Sequence, residues 1–76
     1  SNNMELIIGG IYKHFKGNMY KVIDIALHCE NLEEYVVYKS LDNEKTWIRS
    51  KLEFLSEVDH EKYPEITQKY RFELQK

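Results

Sequence analysis

The sequence is poor in the residues that usually staple or punctuate a small domain, with one cysteine, one proline and three glycines in 76 positions. Solitary Cys29 cannot close an intramolecular disulfide, and there is no closely spaced cysteine pair to hold structural zinc, so neither metal nor cofactor is expected. The longest apolar stretches, Leu6-Ile7-Ile8 and Ile25-Ala26-Leu27, are far too short for a membrane-spanning helix. An excess of positive charge is missing as well. Eleven Lys and Arg against thirteen Asp and Glu give a net charge of −2, without the basic footprint of a domain that grips nucleic acid chiefly through its backbone. No basic segment leading into a long apolar run marks a secretion signal, and with the unpaired cysteine this points to a reducing, cytoplasmic setting.

Ser1-Asn2-Asn3 ahead of Met4 reads as the remnant of an expression tag, which leaves residues 4–76 as a single domain. A chain of this size sits near the lower limit for folding without disulfides or metal, and it has no room for a separate catalytic domain. What it does contain is a set of polar and aromatic residues spaced two apart on β-type segments: Tyr12-x-His14-x-Lys16, His28-x-Glu30, Val36-x-Tyr38 and Trp47-x-Arg49. Residues i and i+2 of a strand share a face, so each segment can present a pair of binding groups on one surface.

Gly17-Asn18 is a two-residue turn signal, predicting a hairpin of strands over 10–16 and 19–28. In the second strand Met19, Ile23, Ile25 and Leu27 alternate with Tyr20, Val22, Ala26 and His28, which suits a strand bent between two sides of a barrel. A further strand is expected from Tyr35 to Leu41, then a polar turn and a strand through Thr46-Trp47-Ile48-Arg49. Lys51 to Leu55 breaks the two-residue period and predicts one helical turn. The acidic stretch from Ser56 to Glu65, which holds Pro64, is expected as an exposed loop. Ile66, Gln68, Tyr70, Phe72 and Leu74 alternate with polar neighbours and give the strongest half-buried strand signal in the chain. The pattern predicts an all-β fold, a small five-stranded SH3-like barrel with one short helical turn.

Gly10-x-Tyr12-x-His14-Phe15-Lys16-Gly17-Asn18-x-Tyr20-x-Val22, followed by Ala26-x-His28-x-Glu30, Val36-Val37-Tyr38, Trp47-x-Arg49, Phe54 and Arg71-Phe72, resembles the bacterial family called domain of unknown function 1653, DUF1653. The resemblance runs from Gly10 to Phe72. Two positions depart from it: Ser50 stands where the family usually has proline, and Cys29 where it usually has serine. The resemblance implies a compact β-barrel of SH3-like type and no established activity.

Among candidate chemistries, a Cys29 nucleophile activated by His28 is disfavoured, because adjacent side chains on a strand point to opposite faces. His28 and Glu30 share a face, and the carboxylate could orient the imidazole, but no nucleophile or water is nominated for them to act on. A metal held by His14, His28 and Glu30 would need the two strands to meet near that end. His60, between Asp59 and Glu61, reads as a solvated residue. Lys16-Gly17-Asn18 could offer an ammonium and backbone N–H groups to an anion, although it lacks the longer glycine pattern of a nucleotide-binding loop.

The most informative cluster is Tyr12, His14, Tyr38, Trp47 and Arg49, since aromatic faces beside a planar guanidinium can stack a ring and pair with a carboxylate or phosphate. The competing reading has Trp47 filling the core and Arg49 paired with Glu30. The expected ligand-binding set is therefore Tyr12, His14, Lys16, His28, Glu30, Tyr38, Trp47 and Arg49, with no catalytic residue. A small anionic or aromatic ligand, such as a nucleotide or modified base, is the first expectation. The alternative is an adaptor for a protein partner or, less favoured, for nucleic acid.

Overall fold

In the computed structural model, residues 5–76 are described. The expected tag residues Ser1, Asn2 and Asn3, and the expected domain start at Met4, lie outside the described residues. The elements in chain order are β1 (Ile11–His14), β2 (Met19–Leu27), β3 (Glu34–Ser40), β4 (Thr46–Ser50), α1 (Lys51–Phe54) and β5 (Phe72–Leu74). All the strand pairings are antiparallel, in one sheet of order β4-β3-β2-β1-β5. The fold is all-β with one short helical turn, as the pattern predicts. Backbone pairing does not close it: β4 and β5 are the two edges of an open sheet.

Side chains complete what hydrogen bonds leave open. Phe54 of α1 and Phe72 of β5 are both fully buried and stack with centroids 4.0 Å apart and planes 5° from parallel. Tyr12 and Tyr38 pack edge-on against Phe54 at 5.4 and 5.3 Å, so aromatic rings from β1, β3, α1 and β5 meet in one core with Val22 and Val36. Such edge-to-face and stacked contacts add to the large apolar area each ring removes from water. The helical turn lies where expected, and Ser50 caps it: its hydroxyl oxygen accepts from the Glu53 N–H at 3.2 Å.

Three expectations about the strands need correction. The first turn is longer than two residues. The His14 N–H donates to Asn18 O at 2.8 Å and the Gly17 N–H to His14 O at 2.7 Å, while the Phe15 N–H leaves the hairpin for Arg71 O at 3.0 Å. Gly17, at φ +106°, supplies the turn with a backbone conformation that a side chain would strain.

The second correction concerns β2, which does not alternate evenly. The register runs Val22 opposite Tyr38 and then Asp24 opposite Val37, leaving Ile23 as the extra residue of a β-bulge. Val22 and Ile25 therefore both share the face of Tyr38 and Val36, and Asp24 is released to the other side.

The third lies in the last segment, where only Phe72–Leu74 is strand. Burial does alternate through Ile66, Gln68 and Tyr70, but the backbone there turns back on residues 56–58. The Arg71 N–H donates to Ser56 O and the Val58 N–H to Lys69 O, each at 2.8 Å, with Glu57 bridged to Tyr70. Gln68 takes the place of a strand residue with its side chain, its Nε2 donating to Lys13 O and Tyr70 O at 2.9 Å. The acidic loop is thus tied at its base around buried Val58.

Candidate functional site

Residues opposite one another in antiparallel strands share a face. Phe72 lies opposite His14, Tyr12 opposite Tyr20, Val22 opposite Tyr38, Tyr38 opposite Trp47 and Val36 opposite Arg49. All of these side chains stand on the inner, curled face. Tyr12 and Tyr38 lie at its buried floor, and Trp47, 47% exposed, stands at its rim on β4. The placement of Trp47 in the core is therefore overturned: β4 is an edge strand, and the core beside it is already filled by Phe54 and Phe72.

Arg49 is half-buried. Its Nε donates to Tyr38 Oη at 3.3 Å, and Nη1 donates to Glu53 Oε1 at 3.4 Å, a loose i,i+4 pair across the strand-to-helix junction. Glu53, not Glu30, is the carboxylate partner. Glu30 is exposed in the loop after β2, and its N–H donates to His28 Nδ1 at 3.2 Å, while the His28 ring tilts against Tyr35 at 6.0 Å. His28 and Glu30 therefore stand apart from the inner-face cluster, because β2 has ended and its bulge has already reversed the parity on which their placement was based. Among the described residues no three His, Cys, Asp or Glu side chains converge in a way that would hold a metal ion, so the set His14, His28 and Glu30 is not assembled.

His14 is central to the exposed part of the face. Its Nδ1 accepts from the Lys16 N–H at 3.1 Å, which fixes the neutral ring as the Nε2–H tautomer. The ring stacks on Phe15 at 4.4 Å and meets Phe72 edge-on at 4.9 Å and Tyr20 at 6.4 Å. Partial burial lowers its pKa from 6.5 to about 4, with further lowering by the charges of Arg49, Arg71 and Lys16. The imidazole is thus a neutral hydrogen-bond donor at physiological pH. Tyr20 bridges His14 to Tyr38, whose ring lies 5.2 Å away, and burial first, then Tyr38 and Asp42, raises its pKa, so its phenol stays protonated.

Lys16 lies beside this cluster, its Nζ 5.9 Å from the Phe15 ring centroid and 5.6 Å from that of Tyr63. The Tyr12 hydroxyl is spent within the fold, accepting from the Ile7 N–H at 3.0 Å. The residues brought together are therefore His14, Lys16, Tyr38, Trp47 and Arg49, above a floor that includes Tyr12. Sequence reasoning missed Tyr20, Phe72 and Arg71. Tyr20 was legible from the Tyr12-to-Tyr20 register of the hairpin, whereas the arrival of Arg71 beside Phe15 depends on a distant return of the chain that no local spacing signals.

A concavity of about 850 Å³ opens on the other flank of Arg49, between Tyr35, Ile48, Leu52 and Glu53. It shares Arg49 with the inner face but not His14 or Trp47. The Lys51–Glu34 ion pair at 3.1 Å lies on its wall, so its charges are largely matched within the protein.

The family profile described as "Protein of unknown function (DUF1653)" matches residues 10–74. The chain belongs to the DUF1653 family. No curated protein and no solved structure matches it. The matched span runs from Gly10 through β5, so the His14, Trp47 and Arg49 surface lies wholly within the part of this chain that carries the family pattern. No helix among the described residues is long and apolar enough to cross a membrane.

Proposed function

We propose that this DUF1653 protein is a cytoplasmic, bacterial binding module of SH3-like type, without catalysis of its own, that recognises a small anionic or aromatic ligand such as a nucleotide or modified base on the inner face of its sheet. The observation that carries this reading is the Arg49 guanidinium, anchored through Nε to Tyr38 Oη while half-exposed Trp47 stands two residues away on the same face. An anchored guanidinium is preorganised for a planar or tetrahedral anion, and a half-exposed indole offers a stacking plane beside it. Trp47 is the sole tryptophan, so its fluorescence reports directly on occupancy. Screening nucleotides, nucleobases and aromatic acids should find a ligand class that perturbs Trp47 emission saturably in the parent and not in Arg49→Ala. Saturable binding unaffected by Arg49→Ala would rule the surface out.

The adaptor reading is favoured by a different observation. Ile48 and Leu52 are 66% and 80% exposed beside the groove on the far flank of Arg49, and β4 is an edge strand open to pairing by an extended peptide. Salt separates the two readings from backbone binding of nucleic acid, which alone would weaken steeply as ionic strength rises.

A further inference from the structure

The two edges of the sheet are guarded differently. β5 is three residues long, and its Glu73 side chain folds back to accept from the Tyr70 N–H at 3.1 Å. β4 has five residues, pairs with β3 in unbroken register, and carries no lysine, proline or bulge, the devices that usually keep an edge strand from pairing. Its one charge, Arg49, lies on the inner face, held by Tyr38 Oη and Glu53.

The turn before β4 fixes which way its backbone groups point. The Ser40 N–H donates to Lys45 O at 2.9 Å, so Lys45 faces β3, and in an antiparallel ladder the groups of successive residues alternate. Thr46 and Ile48 therefore turn N–H and C=O away from the sheet, and Ser50 its N–H. Ile48 is the middle residue of β4 and 66% exposed.

About that middle the five residues complement themselves. In an antiparallel pair with a two-fold axis at Ile48, Ile48 faces Ile48, Trp47 faces Arg49 and Thr46 faces Ser50. On the outer face the two isoleucines cover each other, with a hydroxyl pair on either side. On the inner face the half-exposed indole of each copy meets the guanidinium of the other, a reciprocal cation–π contact to a charge that Tyr38 already steadies. Other registers fit worse. A slip of one residue sets Ile48 against Arg49 and joins an inner face to an outer one. An axis at Arg49 opposes two guanidinium groups, and one at Trp47 sets Arg49 against Lys45. Past Ser50 the chain leaves for α1, where Lys51 is paired with Glu34 at 3.1 Å, so the seam ends there.

From this we propose that β4 pairs with β4 of a second copy of this chain about a two-fold axis at Ile48, joining two five-stranded sheets edge to edge. The inference names the partner for the adaptor reading of β4 and rests on that reading. Five residues a side bury little area, so the pair forms at high concentration and dissociates on dilution.

Sedimentation of the full chain from about 1 mM down to about 1 µM, the range over which weak pairs come apart, should show dimer giving way to monomer. Ile48→Lys and Ile48→Glu each oppose like charges at the axis and should be monomeric throughout, without harm to folding at so exposed a position. An equimolar mixture of the two should recover a heterodimer, since the axis then pairs an ammonium with a carboxylate. A dimer that persists in Ile48→Lys, or a mixture that stays monomeric, would overturn the proposal. So would a parent that is monomeric at the highest concentration, and exchange of the Ile48 amide then decides what else falls. Free exchange leaves β4 open to a different extended chain, whereas protection in a monomer means that the edge is covered by the chain itself and removes the adaptor reading too. In the expected dimer, Ile48 exchange slows as concentration rises.

Discussion

Phe54 and Phe72 lie face to face, 4.0 Å apart and within 5° of parallel, joining the helical turn after one edge strand to the strand at the opposite edge. Both rings are fully buried, so truncation leaves a cavity as well as lost transfer energy. Phe54→Ala should cost about 3–5 kcal/mol, comparable to the whole stability of a domain this small. The variant is expected to be unfolded at room temperature. Phe54→Leu, which keeps most of the volume, should remain folded with a lowered urea midpoint. A native-like midpoint for Phe54→Ala would show that the stack does not hold the fold together.

Arg49 and Trp47 should matter for binding more than for stability. The Arg49–Glu53 pair is largely solvated, and pairs of this kind contribute about 0–1 kcal/mol, so Arg49→Ala should cost about 1 kcal/mol or less. With half its surface in water, Trp47 should cost about 1–2 kcal/mol on truncation to Ala, less than a fully buried aromatic would. Denaturation midpoints of the two variants decide the matter. If Arg49→Ala destabilised the domain as much as Phe54→Leu, the guanidinium would be a structural element bound to Tyr38.

The pH dependence of stability should carry a His14 signature. Its folded pKa is depressed from 6.5 to about 4, so between those values the unfolded chain takes up a proton that the folded chain refuses. The contribution of this group to stability is therefore full above pH 6.5 and falls as the solution is acidified toward pH 4. Urea midpoints measured across that window should decline less steeply in His14→Gln than in the parent. Identical slopes would mean that the imidazole charges freely in the fold.

Gly10 is a steric requirement. A Cβ there would lie 2.8 Å from Leu74 Cδ1, 3.0 Å from the Ile7 carbonyl oxygen and 3.2 Å from Tyr12 Cε1. The leucine tip can yield, but the backbone oxygen and the buried tyrosine cannot do so cheaply. Gly10→Ala should lower stability by about 1–3 kcal/mol, the range for overpacking. Calorimetry against Gly17→Ala, where nothing lies within 4 Å of the added carbon but φ is +106°, would compare steric crowding with backbone strain.

The period-two spacing of Tyr12 with His14 and Trp47 with Arg49 was legible because β1 and β4 are short, regular strands. Lys51 to Leu55 was legible because its apolar spacing leaves the strand period, and Ser50 completes it as a cap. The placement of His28 and Glu30 was not, because Ile23 adds one residue to a strand whose apolar pattern looks continuous. Ile66 to Tyr70 alternated in burial as read, yet the partner that keeps their backbone from joining the sheet is the Ser56–Val58 segment, a tertiary choice that alternation does not encode. Arg49 shares a face with Trp47, as the spacing reads, but its carboxylate partner lay four residues ahead at Glu53, a neighbour visible only once the strand is known to run straight into a helix.

The two edge strands share no ladder, and what ties the chain beyond β4 to the chain entering β5 is the Phe54–Phe72 stack together with the backbone bonds of Ser56 and Val58 to Arg71 and Lys69. Arg49 and Trp47 lie on β4 at one edge of the sheet, and His14 and Arg71 lie toward the other. A molecule spanning both edges would act as a rivet between them. Amide exchange in β4 and β5 should slow together when such a molecule is bound, although no residue of β4 pairs with β5.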